Sequence, residues 1–134
     1  MEKLSLSQEQ IDTVISLLSI GKFQDALDKT VILERTYPGE SLLSNISGAC
    51  YQGLEQFEMA VEHYEKAIRI NPSYYKAHYN LGGVLQDLGK LNASIESFEK
   101  ALSIQPNYAE ANNNIGNVFR ELGQFDNAIK SFEK

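Results

Sequence analysis

Cysteines, prolines and long apolar segments are all scarce in this chain of 134 residues. Cys50 is the only cysteine, so an internal disulfide is excluded. The cysteine count therefore does not indicate whether the protein works in an oxidising or a reducing compartment. No apolar run reaches the length of a secretory signal or of a membrane-spanning helix. We therefore expect a cytoplasmic protein that does not insert into a membrane.

Basic residues are also few. The chain has 12 Lys and Arg against 18 Asp and Glu, which gives a net charge of −6 at pH 7. Phosphate binding requires clustered Lys and Arg, so this balance argues against nucleic acid as a partner. For the same reason we do not expect the protein to bind to an anionic membrane surface.

The residue patterns that carry catalysis are missing as well. Cys50 has only His63 at a useful distance along the chain, and no third group activates the pair. His63 and His78 do not have a metal-ligand spacing. No glycine-rich phosphate loop occurs, because Gly82-Gly83 lies within a predicted helix. We expect no enzymatic activity, no metal and no cofactor.

The few prolines are regularly spaced, because the step from Pro38 to Pro72 is the same as the step from Pro72 to Pro106. Four further sets of residues recur at this step: Phe23, Phe57, Leu91 and Phe125; Ala26, Ala60, Ser94 and Ala128; Gly48, Gly82 and Gly116; Tyr64, Phe98 and Phe132. A fixed period indicates stacked repeats, and a period of about 34 residues is typical of a helix–turn–helix pair. Such proteins present an extended surface rather than a reaction centre.

Each repeat is predicted to form two amphipathic helices. In the clearest repeat, the first helix runs from about Tyr74 to Leu88 and the second from about Leu91 to Ile104. Gly89 ends the first helix, and Pro106 prevents the second from continuing. The chain is expected to be one domain of four such units, with approximate bounds 7–40, 41–74, 75–108 and 109–134.

Several positions depart from the repeat pattern. Glu55 stands where other units have a glycine at the turn, which predicts a strained or altered turn. Val14 replaces the recurring glycine and Thr30 replaces the recurring aromatic residue, so the first unit is degenerate, as terminal repeats commonly are. The last unit ends at Lys134 within its second helix, which indicates a truncated array or a fragment of a longer one.

One unit shows a pattern of residues that resembles the tetratricopeptide repeat (TPR): Leu81-Gly82, Leu85, Gly89, Leu91, Phe98, Ala101 and Pro106. The resemblance covers residues 7 to 134 and implies an all-α fold, a right-handed superhelical solenoid of antiparallel helix pairs. Six residues are expected to be structural, as glycines where the helices of a pair approach closely or as prolines that end the units: Gly48, Gly82, Gly116, Pro38, Pro72 and Pro106.

By resemblance, the first helices of the pairs line a concave groove that holds a peptide segment of a partner protein. The residues expected to bind the peptide lie on these first helices: Asn45, Lys76, Tyr79, Asn80, Asn113, Asn114, Asn117 and Arg120. Asn80 and Asn114 are one repeat period apart and so stack, and carboxamides can donate to and accept from a peptide backbone. This ladder resembles the one in the TPR arm of O-linked N-acetylglucosamine transferase. The alternative is that these asparagines are merely solvated surface residues.

Other interpretations of the same face are open. Lys76 and Arg120 could pair with the acidic residues around them instead of with a ligand. Tyr79 could contact a peptide, because aromatic residues are enriched at interfaces, whereas Tyr108 is expected to pack against the preceding unit. A second binding mode of TPR proteins is a clamp that holds two carboxylates at the C-terminal tail of a heat-shock chaperone. This mode is disfavoured here, because it needs paired cations and apolar residues occupy its positions in the first unit.

The expected function is a scaffold for protein–protein interaction, without catalysis, that binds a peptide in the groove. One alternative is the substrate-presenting N-terminal arm of a larger transferase, because bacterial proteins of similar appearance carry TPR units ahead of sulfotransferase or glycosyltransferase domains. Another is a self-assembling structural protein, a homo-oligomer formed through apolar residues of the last unit: Phe119, Phe125, Ile129 and Phe132.

Overall fold

The computed structural model describes residues 5–123 and 131–132. Within these residues the chain forms seven α-helices and no strand, which confirms the predicted all-α class. The helices are α1 (Gln8–Ser19), α2 (Phe23–Thr36), α3 (Ser41–Gly53), α4 (Phe57–Ile70), α5 (Tyr75–Asp87), α6 (Leu91–Ile104) and α7 (Ala109–Glu121). Ser131 and Phe132 are also helical.

The helices belong to two compact units, Met1–Pro72 with α1 to α4 and Ser73–Lys134 with α5 to α7. In the first unit α1 packs against α2 and α3, α2 packs against α3, and α3 packs against α4. In the second unit α5 packs against α6 and α7, and α6 packs against α7. Consecutive helices therefore form the predicted pairs, and the first helices of adjacent pairs touch within each unit.

Local sequence signals set the helix ends. Before α1, Ser7 Oγ accepts a hydrogen bond from the backbone N of Gln10 at 3.2 Å, and Gln10 Oε1 accepts one from the backbone N of Ser7 at 2.9 Å. Pro38, Pro72 and Pro106 directly follow the C-cap residues of α2, α4 and α6. A proline ring there prevents the helix from continuing, so the prolines end the units as predicted.

The recurring glycines lie where an aromatic ring covers the first helix. A Cβ atom added at each would lie 2.5 to 2.8 Å from the ring of the aromatic residue that follows in the second helix: Gly48 with Tyr64, Gly82 with Phe98, and Gly116 with Phe132. No side chain larger than that of glycine fits there without a shift of the ring. The predicted close approach of the paired helices at these glycines is confirmed.

The α1–α2 pair fills the same space differently. Val14 takes the glycine position and is 1% exposed, and Thr30 takes the aromatic position and is 0% exposed. Thr30 Oγ1 donates to the carbonyl oxygen of Ala26 at 2.7 Å, which satisfies its buried hydroxyl. A larger side chain on α1 is thus combined with a smaller one on α2, so the degenerate first pair still packs.

The turns between paired helices need a left-handed residue. Gly21, Gly89 and Gly123 supply it with φ angles of +80°, +76° and +77°, and Glu55 adopts φ +60° at the equivalent position. A residue with a Cβ atom is disfavoured in this conformation. The strained turn predicted at Glu55 is therefore confirmed.

The strain at this turn gives a stability prediction. We expect Glu55→Gly to raise the free energy of unfolding by about 0.5–1 kcal/mol, because relief of the left-handed strain exceeds the added entropy of the unfolded chain. Urea denaturation followed by circular dichroism measures the change. The matched control is Gly89→Ala, which should lower stability because it puts a Cβ atom at φ +76°. An unchanged or lower stability of Glu55→Gly would disprove the strain.

Candidate functional site

The predicted binding residues lie on the first helices of three pairs. Asn45 lies on α3 in the first unit and is half-buried. The other seven lie in the second unit on α5 or α7: Lys76, Tyr79, Asn80, Asn113, Asn114, Asn117 and Arg120. Because α5 and α7 contact each other, these two helices present one shared surface, which we call the α5–α7 face.

Tyr79 and Asn114 join the two helices of this face. Asn114 Nδ2 donates a hydrogen bond to Tyr79 Oη at 3.0 Å. The Tyr79 ring also packs against Phe98 of α6 and against Tyr108, with centroid distances of 5.6 and 4.9 Å. Tyr79 therefore has a structural role in addition to any contact with a peptide, and Asn114 uses part of its hydrogen-bonding capacity within the protein.

A second hydrogen bond crosses the face two helical turns further along α5. Gln86 Nε2 donates to Glu121 Oε1 at 2.6 Å. Both cross-helix bonds join residues 35 positions apart, one more than the repeat period. Sequence reasoning stacked residues that are one full period apart, such as Asn80 and Asn114, and so missed both bonds. This longer offset between polar side chains was the signal that could have found them.

Arg120 is held by neutral partners. Its Nη2 donates to Asn117 Oδ1 at 2.7 Å, and its guanidinium carbon lies 5.4 Å from the centroid of the Phe132 ring. A cation over an aromatic ring is favourable. Among residues 5–123 and 131–132 the ion pair shown is Lys66 with Glu34 at 3.5 Å, so pairing of Arg120 with an acidic neighbour stays a prediction.

The face has a half-buried layer and an exposed layer. Tyr79, Asn80 and Asn114 are half-buried, whereas the exposed residues are Lys76, Asn113, Asn117 and Arg120. Asn113 and Asn117 are four residues apart, so they lie on the same side of α7. The exposed layer thus combines two carboxamides, which can donate and accept hydrogen bonds, with two cations.

Tyr108 anchors the start of α7 on the preceding pair. Its ring meets that of Tyr75 edge-on, with centroids 5.3 Å apart and an interplanar angle of 86°. Burial raises the pKa of Tyr108 to about 12, and the neighbouring Tyr79, Glu110 and Tyr75 act in the same direction. The phenol is neutral at physiological pH, and its expected role in packing between pairs is confirmed.

Cys50 and His63, the residues considered for catalysis, both pack against other side chains of the first unit. Cys50 is fully buried, and burial raises the pKa of its thiol to about 11, so it is not a thiolate nucleophile at neutral pH. The His63 ring stacks on Tyr51 with centroids 5.0 Å apart, and burial lowers its pKa. In the part of the chain that the structure describes, no group of three or more His, Cys, Asp or Glu could hold a metal ion.

None of the helices in the described ranges is both long and apolar enough to cross a membrane.

A comparison with protein families decides what kind of repeat this is. The model of the TPR repeat matches residues 51–89 and 82–123, which together make up more than half of the chain. The chain belongs to the TPR repeat family. The resemblance drawn from the pattern of repeat residues is thereby confirmed, and so is an all-α TPR fold built for protein binding.

Solved structures of MamA share this TPR fold. A crystal structure of MamA is 26% identical to this chain with a TM-score of 0.85, covering 92% of this chain and 72% of its own. A second MamA structure is 26% identical with a TM-score of 0.78, covering 94% and 73%. MamA residues 41 to the end from Desulfovibrio magneticus RS-1 are 21% identical with a TM-score of 0.83, covering 92% and 70%, which shows the fold alone. Among curated proteins, no sequence match was found.

The four apolar residues expected to mediate self-assembly of this TPR protein differ in their surroundings. Phe125 and Ile129 lie outside the described residues. Phe119 is partly buried and packs in the apolar cluster that joins α6 to α7. Phe132 is 42% exposed and lies beneath the guanidinium of Arg120. Phe119 therefore serves the interior of its own unit.

Proposed function

We propose that this TPR protein is a non-catalytic scaffold that holds a peptide segment of a partner protein on the α5–α7 face. The observation that carries the proposal is the exposed pair Asn113 and Asn117 beside the exposed guanidinium of Arg120. The cross-helix bonds of Tyr79 and Gln86 fix the two helices that present these groups. A surface that is already ordered loses less conformational entropy when it binds.

The chemistry of this face suits an extended peptide backbone. Asparagine carboxamides can donate to a peptide carbonyl and accept from a peptide N–H at the same time. We propose that Asn80, Asn113, Asn114 and Asn117 form a ladder of this kind, like the one in the TPR arm of O-linked N-acetylglucosamine transferase. Half-burial of Asn80 and Asn114 would make their bonds count for more, since water competes less there.

The partner proposed is a protein or peptide segment whose backbone the asparagines bind. Lys76 and Arg120 are the cations of the α5–α7 face, and both are exposed. The net charge of −6 supports a protein partner rather than nucleic acid, because phosphate backbones need clustered Lys and Arg. No observation on the described residues favours a transferase arm or a self-assembling protein.

Panning a random peptide library displayed on phage against the whole chain tests this function. Calorimetry with synthetic copies of the selected peptides gives their affinities. We expect Asn113→Ala with Asn117→Ala, and separately Asn80→Ala with Asn114→Ala, to weaken binding about tenfold, because each pair removes two hydrogen bonds of roughly 0.5–1.5 kcal/mol.

The control variant is Asn92→Ala, which removes an exposed asparagine from the second helix α6. It should bind like the unchanged chain, and all variants should keep the same helicity by circular dichroism. If both double variants bind with the affinity of the Asn92→Ala control, the α5–α7 face is not the binding surface. A failure of panning to yield any peptide that binds the folded chain would count against the function itself.

A further inference from the structure

An apolar pocket lies on the first helix pair, in the unit Met1–Pro72. It has a volume of about 240 Å³ and is lined by residues of α1 and α2: Gln10, Thr13, Val14, Lys29, Ile32 and Leu33. Ile32 keeps 60% of its surface exposed although it is a large apolar residue. An apolar cleft that includes an exposed isoleucine is a candidate docking site.

The repeat period shows what covers the equivalent surface of the next pair. A shift by one period maps Thr13, Lys29 and Ile32 onto Ser47, His63 and Lys66 of α3 and α4. Glu34 of helix α2 interacts with all three of these residues. Ser47 Oγ donates to Glu34 Oε1, Lys66 Nζ lies 3.5 Å from Glu34 Oε2, and the Glu34 carboxylate also acts electrostatically on His63. On the α3–α4 pair this surface is therefore the seat of a helix.

The covering helix has a simple pattern of side chains. Leu27 and Val31 of α2 belong to the apolar cluster that includes Ile46 and Cys50 of α3. Together with Glu34 they occupy positions i, i+4 and i+7, which lie on one face of a helix. The docking helix of the first unit thus presents two apolar side chains followed by one carboxylate.

We propose that the α1–α2 pocket docks an amphipathic helix of another protein, with apolar side chains at i and i+4 and an acidic one at i+7. The docked helix packs on α1 as α2 packs on α3, and its acidic side chain reaches α2 as Glu34 reaches Lys66 of α4. Lys29 stands at the position of His63 and supplies the charge that attracts the carboxylate. Ile32 stands at the position of Lys66 and gives this site more apolar surface than its counterpart. This proposal uses no residue of the α5–α7 face and does not depend on the function proposed for that face.

A peptide copy of α2 is the probe, because α2 is the helix that fills the equivalent seat. The peptide has the sequence of Phe23–Thr36, FQDALDKTVILERT, with a lactam bridge between the side chains of Asp25 and Lys29. The bridge joins positions i and i+4 on the side opposite Leu27 and Val31 and keeps a short helix formed in water. Fluorescence anisotropy of the labelled peptide reports its affinity for the whole chain.

Two matched variants of the protein locate the binding. Ile32→Asp puts a charge into the pocket, whereas Ile20→Asp makes the same change at an isoleucine that is 66% exposed and does not line the pocket. We expect Ile32→Asp to weaken binding by about tenfold or more and Ile20→Asp to leave it unchanged. Thermal melts check that both variants fold. Equal affinity for the two variants, or no binding to the unchanged chain, would overturn the proposal.

A charge exchange tests the role of Lys29 separately. A peptide with Glu34→Lys should bind the unchanged protein more weakly, and the protein variant Lys29→Glu should recover its affinity for that peptide. Sedimentation of the protein without peptide shows whether a second copy occupies the pocket instead. A dimer that Ile32→Asp abolishes and Ile20→Asp keeps would contradict docking of a foreign helix.

Discussion

Phe98→Ala is expected to lower the free energy of unfolding by about 3–5 kcal/mol, the largest loss predicted for a single substitution in this chain. The ring of Phe98 is 0% exposed, covers Gly82 of α5 and belongs to the cluster that joins α6 to α7. Its removal leaves a cavity between three helices, and the glycine opposite has no side chain with which to fill it. Urea denaturation of the unchanged chain and the variant measures the loss.

Phe132 provides the matched control for this prediction. It occupies the same repeat position and covers Gly116 in the same way, but 42% of its surface is exposed. Phe132→Ala removes the same atoms and less buried area, so its loss should be clearly smaller. Equal losses for Phe98→Ala and Phe132→Ala would show that burial over the recurring glycine is not what stabilises the repeat.

Gly82→Leu is expected to lower the free energy of unfolding by about 1–3 kcal/mol through overpacking. Even a Cβ atom at Gly82 would lie 2.7 Å from the Phe98 ring, which is fully buried and cannot move outward freely. Leucine is a better helix former than glycine, so a destabilised variant would show that the clash outweighs the gain in helix propensity.

A double-mutant cycle shows whether the clash acts through Phe98. Phe98→Leu makes room opposite position 82, so the combined variant with Gly82→Leu should be more stable than the sum of the single losses predicts. A coupling of roughly 0.5–3 kcal/mol is expected for residues in direct contact. Additive losses would mean that Gly82→Leu acts on some other neighbour.

Much of the fold followed from the sequence because the decisive interactions are local or periodic. The bounds predicted for α6, from Leu91 to Ile104, are those of the structure, since a glycine turn and a proline delimit the helix. The contact of Gly82 with Phe98 was predictable because the glycine position and the aromatic position both recur at the repeat step. The strained turn at Glu55 was predictable because the repeat puts this residue where other units have a left-handed glycine.

The polar bonds of the candidate site could not be derived in the same way. Long side chains such as Arg120 and Gln86 have several partners within reach that differ little in energy, so sequence spacing does not select one. Arg120 bonds to Asn117 and Gln86 bonds to Glu121, whereas sequence reasoning had considered only ion pairs of Lys76 and Arg120 with acidic residues. The asparagine ladder itself stays a prediction.

One close approach escaped because it breaks the period. A Cβ atom at Gly53 of α3 would overlap the ring of Phe23, the first residue of α2. The repeat positions equivalent to Gly53 are Asp87 and Glu121, so no recurring glycine drew attention to it. A contact made once leaves no trace in the repeat pattern, and only the packing of α2 on α3 shows it.

The most direct test of the peptide-binding account is a nuclear magnetic resonance titration of the whole chain, labelled with ¹⁵N, with a peptide selected by panning. The side-chain NH₂ signals of asparagine report directly on the groups proposed to bind. The account predicts that the largest shifts occur at the NH₂ signals of Asn113 and Asn117 and at backbone amides of α5 and α7. Shifts concentrated on the second helices α4 and α6, with the signals of Asn113 and Asn117 unmoved, would contradict it.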